Sequence, residues 1–286
     1  MKYLKFLLVT IAFSVVSFTR AQNFDNVTIT TTKLSDNVYM LVGAGGNIGV
    51  SVGDDGVFVI DDQFAPLTTK IEAAIKTLSD KQIQFLVNTH YHGDHTGGNE
   101  NMKKLGTTII AHDNVRKRLE DKPKDALPVI TFNDELSLHI NGEKISVFHV
   151  EHAHTDGDAL LYFTKSNVLH TGDVYFNKRY PYIDLNSGGS VNGYIEAVKK
   201  GLSAINDDTK IIPGHGELST KAEYQFFLEM LETLKDNVLS EIKKGKTEDE
   251  VAANSEITKV YDDLGYSWNF ISSEKIRRTF YLSLKE

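Results

Sequence analysis

The stretch Asn88-Thr89-His90-Tyr91-His92-Gly93-Asp94-His95-Thr96-Gly97-Gly98-Asn99 sets three imidazoles and one carboxylate within six residues, directly after the apolar run Ile83-Gln84-Phe85-Leu86-Val87. That run has the length and composition of a buried strand. If the extended geometry continues, His90 and His92 share one face, because strand side chains alternate with a period of two. Gly93 then permits a sharp turn, so that Asp94 and His95 address a neighbouring position. One short segment can therefore offer His90 and His92 to one metal ion, and Asp94 and His95 to another a few Å away. A lone histidine is most often a surface or core residue. Four ligand-type side chains this close together, at a strand end and before Gly97-Gly98, point to a metal site instead.

The chain of 286 residues is 41% hydrophobic and 24% charged, which fits a globular protein with a core of good size. Its net charge of −8 repels phosphate backbones and argues against nucleic acid or an anionic membrane as a main partner. Residues 1–21 read as a cleavable secretory signal. Lys2 and Lys5 precede the apolar run Phe6 to Val16, which is too short to span a bilayer, and Thr19-Arg20-Ala21 supplies small residues at the cleavage positions. The mature chain would begin near Gln22, more acidic by three lost cations, and would be secreted or periplasmic with no stable membrane association. An uncleaved anchor is the rival reading. The absence of cysteine removes disulfides, thiol nucleophiles and thiolate ligands together.

Along the chain, Val27 to Thr32, Val38 to Val42, Asn47 to Val52 and Gly56 to Ile60 read as strands, and Pro66 opens a helix running through Leu78. After the histidine cluster, helices are expected over Asn99 to Leu105 and His112 to Leu119, with a strand over Thr107 to Ala111 between them. Asp121 to Asp125 is a charged loop. Strands follow at Leu136 to Ile140, Ile145 to Val150, Ala159 to Phe163, Val168 to Thr171 and Lys210 to Ile212, with a helix over Val191 to Leu202. From Thr220 onward the pattern is helical, ending in Glu274 to Leu284. Trp268 reads as a packing residue, with a pocket wall as the alternative. Strands and helices mix without strict alternation, which by itself allows two packed sheets and no more.

The His-x-His-x-Asp-His order of residues 90–95 resembles the signature of the metallo-β-lactamase superfamily. Glu151-His152-Ala153-His154-Thr155-Asp156-Gly157-Asp158, His170-Thr171-Gly172-Asp173 and Pro213-Gly214-His215-Gly216 resemble its later blocks, in order. The resemblance implies an α/β (α+β) fold, a four-layer αββα sandwich, with residues 22–286 forming one domain that has a helical C-terminal part. It implies that His90, His92 and His154 hold one ion and Asp94, His95 and His215 the other, with Asp173 shared. His152, His170 and Asp61 are candidates for orienting those ligands by hydrogen bonds. For Asp61, a solvated turn acid is the equal alternative. His112, His139 and His149 are read as structural.

Zinc suits such donors and keeps a coordination position for water; iron or manganese would also accept them. Coordination lowers the pKa of water from 15.7 to about 7, roughly 12 kcal/mol, which no side-chain base supplies. The expectation is therefore a dinuclear zinc hydrolase acting on a small-molecule amide or ester carbonyl, β-lactam or lactone-like, with a metal-bridging hydroxide as nucleophile and Asp94 orienting it and shuttling its proton. A thioester hydrolase of glyoxalase II type shares the ligand set. A non-hydrolytic or iron-dependent member of the fold is the further alternative. The β-lactamase subclass that uses a thiolate carries cysteine where this chain has Asp173, so the likeness is to the wider all-His/Asp hydrolases. Oligomeric state is not readable.

Overall fold

The computed structural model describes residues 24–285. The expected signal over 1–21 and the start at Gln22 lie outside the described residues. Seven strands form one sheet in sequence order: β1 (Thr30–Lys33), β2 (Val38–Val42), β3 (Ile48–Gly53), β4 (Gly56–Ile60), β5 (Ile83–Val87), β6 (Thr108–His112) and β7 (Ile130–Phe132). The second sheet contains β8 (Glu135–Ile140), β9 (Glu143–His149), β10 (Ala159–Phe163), β11 (Val168–His170), β12 (Lys210–Ile212) and β13 (Ser219–Thr220), in the order β13-β12-β11-β10-β9-β8.

Period-two alternation builds the layers. In β4, Phe58 and Ile60 join a cluster with Val147, Leu161 and Phe163 of the second sheet, while Val57 and Val59 point the other way onto Ile71 and Ile75 of the helix Thr68–Lys76. In β10, Leu161 and Phe163 face the first sheet, and Leu160 packs among Tyr194, Val198, Phe227 and Leu231 of the helices Val191–Ser203 and Lys221–Lys243. Helix, sheet, sheet, helix is the four-layer αββα sandwich expected from the sequence, and burying both faces of each sheet supplies its core. The long helix Lys221–Lys243 starts at a capping box, Thr220 with Glu223, and the terminal helix Ser273–Leu284 lays Ile276 and Phe280 into the same cluster.

Several local expectations shift. β1 begins at Thr30 and not at Val27. Pro66 opens a short 3-10 turn, Ala65–Leu67, and the α-helix proper runs from Thr68 to Lys76. Strands β7 and β13 lie outside the expected set; with three and two residues they have no room to display a period.

What positions the site is the strand direction. β4 and β5 pair parallel in the first sheet and β11 and β12 pair parallel in the second. Asp61, Asn88, Thr171 and Pro213 each follow the last residue of one of these strands. The two sheets are tied there by Ala159 N donating to Thr89 O at 2.8 Å and Asn47 N to Gly214 O at 2.8 Å. Ligand sites in open parallel arrangements gather beyond the carboxyl ends of strands, where loops diverge and leave a crevice.

Candidate functional site

β5 stops at Val87, so His90 and His92 do not share a strand face as the alternation predicted. The chain bends instead. His92 caps a single helical turn, Gly93–Thr96, with extended backbone, and the turn carries Asp94 and His95. The rings converge all the same: His90 Nε2 lies 3.1 Å from His92 Nδ1, and His154 Nε2 lies 2.8 Å from the same atom. His154 arrives on the loop between β9 and β10. That loop is closed by the buried carboxylate Asp158, which accepts from Thr155 N at 2.7 Å and Thr155 Oγ1 at 2.6 Å.

Asp173 stands between two donor sets. Its Oδ2 is 3.8 Å from His90 Nε2 and 3.5 Å from His154 Nε2, while its Oδ1 is 3.1 Å from His95 Nε2 and 3.4 Å from His215 Nε2. Asp94 Oδ2 completes the second set, 3.3 Å from His215 Nε2 and 3.8 Å from His95 Nε2. Donor atoms of His90, His92, His154 and Asp173 lie within 4.8 Å of one another, as do those of Asp94, His95 and His215. Glycine lets the backbone come this close. A Cβ on Gly214 would sit 2.1 Å from Asp173 Oδ1, and one on Gly46 would sit 2.1 Å from the His95 ring.

These residues fit divalent metal. His95 Nε2 and Asp173 Oδ1 are buried and 3.1 Å apart, and among the described residues neither makes a well-directed hydrogen bond. Native proteins rarely leave such atoms unsatisfied, because the lost solvation costs about 1–3 kcal/mol each. A cation shared by both atoms satisfies them together. Charge follows the same division. Burial, with His95 nearby, holds the His90 imidazole well below its ordinary range, and burial drives His154 down to about 4, which keeps both rings neutral as ligands must be. Burial is the largest single influence on His95 and His215 and opposes charge on both, but the carboxylates together outweigh it. Asp173, Asp61 and Asp94 hold His95 well above its usual value, and Asp173 and Asp94 hold His215 at about 9.

The outer ring nitrogens are also committed. His95 Nδ1 meets Asp61 Oδ2 at 2.7 Å, and Asp61 also accepts from Thr89 N and Thr89 Oγ1 at 2.8 Å. Asp61 is thus buried against a site histidine and is not a solvated turn acid. His154 Nδ1 donates to Tyr182 O at 2.7 Å, and His92 Nε2 lies 3.1 Å from Asp184 Oδ2, which also accepts from Tyr91 OH. Asp184 carried no signal in the sequence, since nothing marks an acid 92 positions from its partner.

His170 and His152 behave differently from one another. His170 is buried and donates through Nε2 to Asn47 O while its Nδ1 accepts from Gly172 N, both at 3.1 Å; it fixes backbone beside Asp173 and not a ligand ring. His152 is a correction. Its residue takes a positive φ of 51°, which swings the exposed ring away to Gly188 O at 2.9 Å, and it orients none of the seven donors. His112 and His149 stack on each other with ring centroids 3.9 Å apart, away from the donor sets. Trp268 lies against Phe176 and His215 and lines the cleft over the site, so its place is the pocket wall. The charged loop contributes Lys122 and Pro123 to a smaller cleft beside His92 and Gly93.

Known proteins resemble the chain in sequence and in fold. The family model described as the metallo-beta-lactamase superfamily matches residues 41–215. The chain belongs to that superfamily. It is 30% identical over 155 residues to the hydroxyacylglutathione hydrolase of Pelagibacter ubique (strain HTCC1062), an alignment that spans 51% of this chain and 58% of that enzyme. It is 20% identical over 217 residues to the metallo-beta-lactamase type 2 of Bacillus cereus, covering 71% of this chain and 83% of that one. Among solved structures, the metallo-beta-lactamase from Pontibacter korlensis superposes with a TM-score of 0.65 at 18% identity, covering 72% of this chain and 99% of that chain.

Proposed function

We propose that this chain is an exported, two-zinc hydrolase that opens an amide or ester carbonyl in a small molecule, a β-lactam or lactone-like compound. The observation that carries the reading is Asp173, whose two carboxylate oxygens face two separate His/Asp sets at the floor of an open cleft. Zinc rests on the imidazole and carboxylate donors, and export on the basic, apolar, small-residue order of residues 1–21.

His90, His92 and His154 would hold one ion and Asp94, His95 and His215 the other, with Asp173 offering an oxygen to each set. Bound there, the pair supplies electrophilic pull on the substrate carbonyl and makes solvent nucleophilic near neutral pH. Asp94 does the proton work. Its carboxyl reaches both clefts of the site, and His95 and His215 hold it below the usual carboxylate range although burial opposes this, so it is ionised and able to accept a proton from the attacking water and pass it to the leaving group. Asp61 and Asp184 fix the rings of His95 and His92, and Tyr182, Trp268 and Phe270 line the cleft where the carbonyl would sit.

A thioester substrate is the second reading, favoured by the likeness to proteins named hydroxyacylglutathione hydrolase. The deciding experiment is elemental analysis of the purified protein together with turnover of a chromogenic cephalosporin, a set of lactones and acyl-glutathione thioesters. Turnover of the first two classes, abolished in Asp94→Asn and His154→Ala with the fold retained, is the expected result. Turnover confined to thioesters selects the second reading. Iron in the protein with oxygen consumption and no hydrolysis would overturn both.

A further inference from the structure

Tyr91 stands between the two histidines that open the first donor set, yet it is not one of that set's donors. Its ring leans on His92 with centroids 4.5 Å apart, and its hydroxyl reaches Asp184 Oδ2 at 3.0 Å and Ser187 Oγ at 2.7 Å. The guanidinium of Arg118, the last residue of the helix Asp113–Arg118, lies over the same ring, 5.3 Å from its centroid. The edge of that guanidinium is used as well. Nε donates to Asp156 Oδ1 at 2.6 Å and Nη2 to Asp156 Oδ2 at 2.7 Å, the two-point fork that arginine makes with a carboxylate.

Asp156 lies two residues beyond His154, and its backbone is taken at both ends. Its N–H donates to Ser187 O at 2.9 Å, and its carbonyl accepts from Asn114 Nδ2 at 2.7 Å. A Cβ on Gly188 would come 2.9 Å from Asp156 Cβ, so the turn that follows Asp184 packs directly on this residue. Arg118 thus reaches the first donor set by two routes. One runs through Tyr91 and Asp184 to the His92 ring, and the other through Asp156 to the loop that carries His154. The second set is held elsewhere: His95 Nδ1 meets Asp61 at 2.7 Å, and the His215 ring stacks on Phe176 with centroids 5.1 Å apart. The two routes need a plane and a fork together, and an ammonium has neither. Folding stability is a poor reason for the pair, because both side chains are 26% exposed and such ion pairs add little.

We propose that Arg118 is a positioning residue for the first metal set. By holding Tyr91 against Asp184, and Asp156 against the turn after it, Arg118 keeps the His92 proton on Nε2 and leaves Nδ1 facing His90 and His154. It supplies no donor atom itself. Its effect on metal affinity rests on the two-metal reading above; its effect on the orientation of His92 does not.

That orientation is read in the metal-free full chain carrying isotope-labelled histidine. Long-range proton–nitrogen spectra show which ring nitrogen bears the proton, and His92→Gln identifies the signal. The wild type should favour the Nε2–H form of His92 by at least about tenfold, since the partner of one ring nitrogen sets the state of the other. Arg118→Gln should bring the two forms to within about threefold of each other, with Arg118→Lys between, because lysine keeps the charge and loses the fork. A wild type without the preference, or a ratio unchanged in Arg118→Gln, overturns the proposal.

Metal affinity supplies the second arm. The two donor sets differ in their number of imidazoles, so bound cadmium observed by NMR gives each its own resonance, and competition with graded chelators gives each its own Kd. Arg118→Gln should weaken the first set by about tenfold and leave the second within about twofold. Tyr91→Phe should weaken the first set too, and the double variant should fall no more than about twofold below the worse single, as expected of residues that act through one contact. Equal losses at both sets, no loss at the first, or losses that multiply in the double variant count against Arg118. Failure of the wild type to hold two cadmium ions counts against the two-metal reading alone, and the histidine spectra still decide the part played by Arg118.

Discussion

Asp184 Oδ2 lies 3.1 Å from His92 Nε2, and that contact leaves Nδ1 of the same ring facing His90 and His154. Tyr91 OH donates to the same carboxylate oxygen at 3.0 Å and contacts Ser187 Oγ at 2.7 Å, so Asp184 is itself held from two sides. The carboxylate fixes which nitrogen of His92 is available for metal. Asp184→Asn should therefore weaken metal binding at the His90, His92, His154 and Asp173 set by roughly 10–100-fold, the usual consequence of losing a partner that orients a ligand. Competition with a chromophoric chelator measures this. An unchanged affinity would mean that His92 is oriented by its neighbours alone.

Asp61 has a similar task in a drier place. Its Oδ2 takes the His95 Nδ1 contact and the Thr89 hydroxyl together, so an amide NH2 in that position would set donor against donor. Asp61→Asn should cost roughly 3–5 kcal/mol of folding stability, because it breaks a buried charged contact without replacing it. Urea denaturation of the metal-free protein reads the loss directly. A cost under about 1 kcal/mol, the scale of an ordinary exchanged hydrogen bond, would show that His95 finds another partner.

Gly46 offers a way to disturb the metal centre without altering any donor. A Cβ there would come 2.1 Å from His95 Cε1 and 2.4 Å from its Nε2, and the ring is fully buried with nowhere to retreat. Gly46→Ala should empty the Asp94, His95 and His215 set while the other set still fills. Metal content after exhaustive dialysis is expected to fall by half. Full occupancy would refute the close approach.

His170 makes stability depend on pH. Both ring nitrogens are engaged, and a second proton on Nδ1 would face the Gly172 N–H. Burial accordingly drives the group down to about 4 from an ordinary 6.5. Between those values the unfolded chain binds a proton that the folded protein refuses. The contribution is therefore complete above pH 6.5 and is lost as pH falls toward 4, by on the order of 3 kcal/mol for this group acting alone. Urea unfolding of the metal-free protein from pH 7 to pH 4 should show a shallower decline in His170→Gln than in the wild type. Identical slopes would remove His170 from the account.

The sequence carried much of the site for an identifiable reason. His90, His92, Asp94 and His95 are crowded by covalent connectivity alone, and the apolar run before them marks a strand end whatever the rest of the chain does. His154, Asp173 and His215 stand apart, each in a short block whose likeness to a known family suggested its part. The strand and helix pattern allowed two packed sheets, and the clusters around Phe58, Leu161 and Leu160 show how period-two alternation divides into inner and outer layers. Short elements escaped. The three residues of β7 display no period, and the chain after Val87 is held by bonds to other strands' ends, Asn88 N to Ile110 O and Thr89 N to Asp61 Oδ1, which adjacency does not reveal.

By itself, then, the order of residues determined the donor types, the crowded half of the metal centre and the inner and outer faces of the longer strands, because adjacency and side-chain periodicity are local properties. Only the tertiary structure decided that Asp184 holds His92, that Trp268 walls the cleft, that Arg179 lies over the Trp268 ring, and that His152 turns away. Those facts depend on where two sheets bring loops from distant parts of the chain together, and contact across such separations is fixed by packing, which leaves no imprint on neighbouring residues.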